Sequence, residues 1–141
     1  LLQLIVRSFQ QHPVSSYLYC GSICLAEFGS EGCDLQTRNH VLEMVQLFSK
    51  TTIAMLGTLD SFISNPDIVD DFFCLARRAM QKAPLELAQA GYLDEYIRCA
   101  LIGMHIEHRE ASRSILSFLE EVLFCFSFCS LIWEVFRFDL P

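Results

Sequence analysis

The chain has 141 residues, of which 52% are hydrophobic, and a formal net charge of −7. This acidic balance disfavours direct nucleic-acid binding, because the chain offers no basic stripe that would displace counterions from phosphates. Six Gly and four Pro are too few for a loop-rich chain and indicate one well-buried, all-helical domain. The chain starts at Leu1 rather than Met and stops at Pro141, so we expect a piece of a longer protein.

The N-terminal part of the chain predicts two helices. Residues 1–11 read as the end of one helix, and residues 15–29 read as the next. Ser15 or Ser16 supplies the N-cap of that second helix, and Gly29 closes it.

A long helical run opens at Asp34 and extends to residue 64. This length exceeds that of most globular helices. We therefore expect Thr51, Thr52 and Gly57 to mark a bend or a break within the run.

The next helix, residues 66–82, carries its own start and stop signals. Ser64 or Asn65 is the expected N-cap, and Pro84 helps to end the helix. Its charges complement the helix dipole, with Asp67, Asp70 and Asp71 near the start and Arg77, Arg78 and Lys82 near the end. This layout explains most of the charge, but not why two arginines stand side by side.

Three further patterns complete the helical part, a short turn at residues 85–89 and helices at 92–104 and 108–126. Helices beginning near Ser15, Pro66 and His108 are spaced by about 40–50 residues, which is near the HEAT and armadillo period. Helix pairs that must stack to bury their apolar faces are typical of an α-solenoid. The sequence thus predicts an all-α solenoid of about three HEAT repeats.

The cysteines and histidines offer weak candidates for chemistry. The seven cysteines lie among apolar residues, which favours buried free thiols over disulfides. His105 and His108 would share a helix face, so a metal pair is conceivable, but no third ligand is evident and we predict a helix corner with His108 near an N-cap. No nucleophile with its base and no phosphate-binding loop is present. We predict no enzyme, no metal and no cofactor.

The segment from Val122 to Trp133 is the most apolar of the chain. It is shorter than the roughly 17–25 residues that a membrane span requires. We therefore predict a buried helix and no membrane association.

Three segments carry a more specific pattern. They are residues 12–33, "HPVSSYLYCGSICLAEFGSEGC", residues 65–84, "NPDIVDDFFCLARRAMQKAP", and residues 103–122, "GMHIEHREASRSILSFLEEV". In this order and spacing they resemble successive HEAT repeats from the C-terminal half of transportin-SR-type receptors of the importin-β, or karyopherin-β, family. The resemblance covers about residues 1–123 and is closer to plant-type members. Residues 124–141 do not match and are treated as an apolar C-terminal tail.

The resemblance implies a fragment of a nuclear import receptor that shuttles between nucleus and cytoplasm. Its implied partners are protein cargo rich in serine and arginine, Ran-GTP through repeats absent from this chain, and nucleoporins in the intact receptor. The alternative is a set of spacer repeats without cargo contact.

Four arginines are the candidates for a cargo surface, namely Arg77, Arg78, Arg109 and Arg113. Guanidinium groups match phosphate oxygens bidentately, which suits phosphorylated cargo. The alternative is that these arginines are solvated or form ion pairs with acidic residues of the same chain. Animal members of the family carry arginines where this chain has Ser117 and Glu120, so the resemblance implies a weaker or differently shaped anion site here.

Overall fold

A computed structural model describes the backbone of residues 1–138 and the side chains of residues 1–128. Within this part the chain forms helices and no strands. The helices are α1 (Leu2–Gln11), α2 (Ser15–Phe28), α3 (Leu35–Met55), α4 (Leu59–Ser64), α5 (Pro66–Lys82), α6 (Pro84–Gln89), α7 (Tyr92–Gly103) and α8 (Arg109–Phe138).

The long helices form two rows, as in a stack of helical repeats. In one row, α5 lies between α2 and α8 and packs against both along its length. In the other row, α3 contacts α1 and α7 more sparingly. The predicted α-solenoid of about three helix pairs is confirmed, and the helices beginning at Ser15, Pro66 and Arg109 are the second members of those pairs.

Aromatic rings join the two rows into one core. Phe72 of α5 lies 5.4 Å from Tyr96 of α7, and Phe118 of α8 lies 5.9 Å from the same tyrosine ring. Between α1 and α3, the Phe9 and Phe48 rings meet edge to face at 4.9 Å. All five side chains are fully buried, so each row covers the apolar face of the other.

Local signals set most helix boundaries. Asp34 caps α3 by accepting a 2.9 Å hydrogen bond from the Thr37 amide. The expected break falls at residues 56–58, around Gly57, and Thr58 then opens α4 with a capping box. Thr51 and Thr52, the other expected break points, remain inside α3.

One predicted cap is wrong, and a second has the predicted position without the predicted side-chain hydrogen bond. The N-cap of α2 is Val14, without a side-chain cap, because Ser15 already lies in the first turn. Asn65 occupies the N-cap position of α5, but its side-chain amide donates to the Ser61 carbonyl and so closes α4 instead.

The predicted end of the last helix at residue 126 is also wrong. Helix α8 continues to Phe138, because neither Gly nor Pro occurs between Gly103 and Pro141 to stop it. The predicted boundary at residue 123 therefore falls inside α8, and the distinction between segment and tail stays a prediction. Residues 139–141 lie outside the described part of the chain.

Most of the described part of the apolar run from Val122 to Trp133 is exposed, which corrects the prediction of a buried helix there, and the side chains of residues 129–133 lie outside the described residues. Leu123, Phe124, Phe126 and Phe128 are each more than half exposed. Hydrogen-bonded pairs between α5 and α8 lie 40 or 44 residues apart, so the end of α5 at Lys82 is level with residues 122–126. Beyond that level α5 no longer flanks α8. No helix within the described residues is both long and apolar enough to span a membrane.

Candidate binding surface on α5 and α8

The two adjacent arginines of α5 face different neighbours. Arg78 is half-buried, and its Nη1 donates to the Ser22 carbonyl of α2 at 3.4 Å. Arg77 points the other way, with its Nε 3.4 Å from Glu121 Oε2 of α8. Successive residues of a helix project about 100° apart, so adjacent positions reach helices on opposite sides of α5. The side-by-side arginines thus link α5 to both helices of its row.

Glu121 accepts hydrogen bonds from two side chains of α5. Besides Arg77, Gln81 donates to the same Oε2 at 2.8 Å. The Arg77 side chain remains 47% exposed, whereas that of Glu121 is 16% exposed. An ion pair of this exposure contributes little to stability, so Arg77 remains open to a further partner. Sequence reasoning missed Gln81, although it lies one turn from Arg77 and therefore on the same face.

Arg109 and Arg113 are exposed on the first two turns of α8. Among the described side chains neither has an ion pair or a hydrogen bond. Both line a cavity of about 490 Å³ that Ser117 and Glu120 also line. The acidic residues nearby in sequence, Glu107, Glu110, Glu120 and Glu121, form no ion pair with them among the described side chains.

Arg77 lines a second cavity, of about 280 Å³, directly beside the first. Ser117 and Glu120 line both cavities and therefore join them. The structure thus brings three of the four predicted arginines to one surface. We call it the arginine surface, formed by Arg77, Arg109, Arg113, Ser117 and Glu120. Arg78 lines neither cavity, and its assignment to a cargo surface stays a prediction.

A polar cluster fixes α8 against α5 beside the arginine surface. The Ser114 hydroxyl donates to the Asp70 carboxylate, and Cys74 Sγ lies 3.5 Å from Ser114 Oγ. Partial desolvation beside α8 raises the pKa of the Cys74 thiol, although the residue remains exposed. The cluster therefore positions the two helices rather than supplying chemistry.

The predicted helix corner at the two histidines, with His108 as a cap, is confirmed. His105 lies in the turn after α7, so the two histidines do not share a helix face. His108 instead accepts a 3.4 Å hydrogen bond at Nδ1 from the Ala111 amide and acts as the cap of α8. Among the described residues, no group of three potential metal ligands comes together.

Comparison with known proteins agrees with the helical architecture. Residues 1–56 match the model of the Transportin-3/Importin-13 fourth TPR domain. Transportin MOS14 of Arabidopsis thaliana is 33% identical over 123 residues, which cover 86% of this chain and 12% of that protein. The chain belongs to the transportin-like importin-β family. TPR and HEAT units are both stacked helix pairs, so the matched domain and the two helix rows describe the same architecture.

A second relative extends the similarity to fungi. An uncharacterised protein of Schizosaccharomyces pombe is 25% identical over 129 residues, covering 87% of this chain and 13% of that protein. The chain thus spans about an eighth of the length of the curated relatives it matches. Nearly the entire chain is similar to one short part of a long transportin.

Proposed function

We propose that this chain is part of a nuclear import receptor that shuttles between nucleus and cytoplasm, and that the arginine surface contacts protein cargo. The observation that carries the proposal is the convergence of Arg77, Arg109 and Arg113 from two helices, with two of the three guanidinium groups unpaired among the described residues. Membership of a family named for transport supports it.

The proposed cargo is rich in serine and arginine and phosphorylated. A guanidinium group donates two parallel hydrogen bonds to phosphate oxygens, and because it is more weakly hydrated than an ammonium group, its desolvation on binding costs less. The surface also lies on the row in which α2, α5 and α8 pack closely. The closely packed row of a curved stack is its inner row, and solenoid proteins bind partners on their extended concave surfaces. In this proposal, Ran-GTP and nucleoporins bind to other parts of the receptor.

The test is titration of the chain with a serine/arginine-repeat peptide, phosphorylated and unphosphorylated, at two salt concentrations. We expect salt-sensitive binding that prefers the phosphorylated peptide. The double variant Arg109→Gln/Arg113→Gln should weaken it at least tenfold. The control Arg7→Gln/Arg98→Gln removes two similarly exposed arginines from α1 and α7, in the other row, and should change little. Equal losses in both variants would show a general charge effect and contradict the proposed surface.

A second candidate function is that of spacer repeats that set the curvature of the solenoid. Two observations favour it, the Arg77–Glu121 ion pair and the hydrogen bond from Arg78 to Ser22. Both use arginine to join neighbouring helices. A cooperatively folded chain that binds neither peptide would support this alternative.

A further inference from the structure

The cavity that contains Arg109 and Arg113 carries both signs of charge. Glu107 and Glu120 line it together with the two arginines, so its charged groups sum to zero. All four residues are exposed, and none forms an ion pair among the described side chains. An anionic ligand alone would therefore meet two carboxylates as well as two guanidinium groups.

The charges are separated along the axis of α8. Arg113 and Glu120 are seven residues apart, which corresponds to about 10 Å at 1.5 Å per residue. Helical side chains interact at separations of three or four residues, so these two do not neutralise each other. Leu116, which is 54% exposed, lies between them in sequence and also lines the cavity. In chain order the cavity is thus lined by Glu107, the two arginines, the apolar Leu116 and Glu120, so that a basic site and an acidic site lie on either side of Leu116.

We propose that this cavity binds an extended peptide that carries an anionic side chain and, three residues away, a cationic side chain. Arg113 binds the anion, Arg109 adds a second positive charge one turn before it, and Glu120 binds the cation and determines specificity. This inference rests on the proposed function and adds a requirement for charge spacing that a purely basic surface would lack. Opposite charges that are matched across an interface fix the register of the partner.

The spacing of three follows from the geometry of an extended peptide. A polyproline II helix rises about 3.1 Å per residue and has three residues per turn. Side chains three residues apart therefore lie on one face, about 9 Å from each other. This matches the axial separation of Arg113 and Glu120. In a β-strand, residues three apart point to opposite faces, so that conformation would not present both charges to α8.

The test uses peptides of identical composition with one phosphoserine and one arginine at separations of one to five residues. They are titrated against the unaltered chain, Glu120→Gln and, as a control, Glu95→Gln, which removes the same charge from α7. We expect the unaltered chain and the control to prefer a separation of three by about fivefold, the size of one exposed ion pair. Glu120→Gln should lose the preference but still bind phosphoserine. Melting curves establish that each variant is folded.

Three other outcomes overturn the proposal in distinguishable ways. Phosphopeptide binding that requires Arg109 and Arg113 but ignores the position of the peptide arginine would refute the role of Glu120 and leave the proposed function intact. A preference for another separation would refute the polyproline II register. An absence of binding to any peptide would contradict the proposed function itself, and this inference with it.

Discussion

Arg77 Nε and Glu121 Oε2 lie 3.4 Å apart and join α5 to α8 across the edge of the arginine surface. Gln81 donates to the same carboxylate oxygen, so Glu121 is held in place by two side chains of α5. The carboxylate occupies part of the hydrogen-bonding capacity of Arg77. Glu121 is thus an internal anion that competes with any external anion for this arginine.

Removing that competitor should strengthen binding of a phosphorylated peptide. We expect Glu121→Gln to raise affinity by up to about fivefold, since an exposed ion pair is worth about 0.2–1 kcal/mol. Titration calorimetry against the phosphorylated serine/arginine-repeat peptide measures the change. Glu95→Gln alters net charge equally on the other row of helices. Equal gains in the two variants would mean that only net charge matters.

The end of α7 has room for glycine alone. A Cβ at Gly103 would overlap the Phe62 ring and lie 2.7 Å from Ile115 Cδ1, and both side chains are fully buried. Gly103→Ala should therefore destabilise the fold by about 1–3 kcal/mol through overpacking. At Gly57 a Cβ meets nothing within 4 Å, so Gly57→Ala should stay within about 0.5 kcal/mol. Urea unfolding compares the two, and similar midpoints would refute the packing argument.

Two hydrogen-bonded, buried hydroxyl groups, one on α3 and one on α7, should contribute unequally to stability when either is removed. Ser49 Oγ donates to the Val45 carbonyl at 2.7 Å, so the Tyr96 hydroxyl must be the donor in its hydrogen bond to Ser49. Ser49→Ala leaves that buried donor unsatisfied and should cost about 1–3 kcal/mol. Tyr96→Phe removes the donor itself and should cost about 1 kcal/mol.

Chemical denaturation of both single variants and the double variant tests this order. The double variant should be more stable than the sum of the single effects predicts, because no unsatisfied hydroxyl remains. A larger loss for Tyr96→Phe than for Ser49→Ala would contradict the assignment of donor and acceptor.

Alkaline pH should destabilise the protein through Cys99. Burial raises the pKa of this thiol from 9.0 to about 12. The unfolded chain releases the proton near pH 9, while the folded chain retains it, so unfolding releases protons and stability falls between about pH 9 and pH 12. The pKa of the buried Tyr96 hydroxyl is also raised, which adds to the loss at higher pH.

The variant Cys99→Ala isolates this contribution. Its stability should fall less steeply above pH 9, by up to about 1.4 kcal/mol per pH unit, the value for one proton. Urea unfolding at pH 7, 9 and 10.5 measures the slopes. Parallel curves for the two proteins would exclude Cys99 as the titrating group.

The sequence by itself determined the helical repeat and most of its boundaries. Asp34 and Pro66 act on backbone groups within one turn, and the apolar periodicity of each helix defines its buried face without reference to other helices. The row of α2, α5 and α8 follows from this periodicity and from the spacing of the helix starts. The family resemblance likewise rests on short segments that can be read along the chain without knowledge of the packing.

The tertiary structure decided what the arginines face. Arg77 and Arg78 are equivalent in sequence, yet one pairs with α8 and the other with α2, across separations of 44 and 56 residues. The grouping of Arg77 with Ser117 and Glu120 likewise depends on how α8 lies against α5. Capping and periodicity are local and can be read from neighbouring residues. The partner of a surface charge depends on the relative position of two helices, which only the packing of their buried faces fixes.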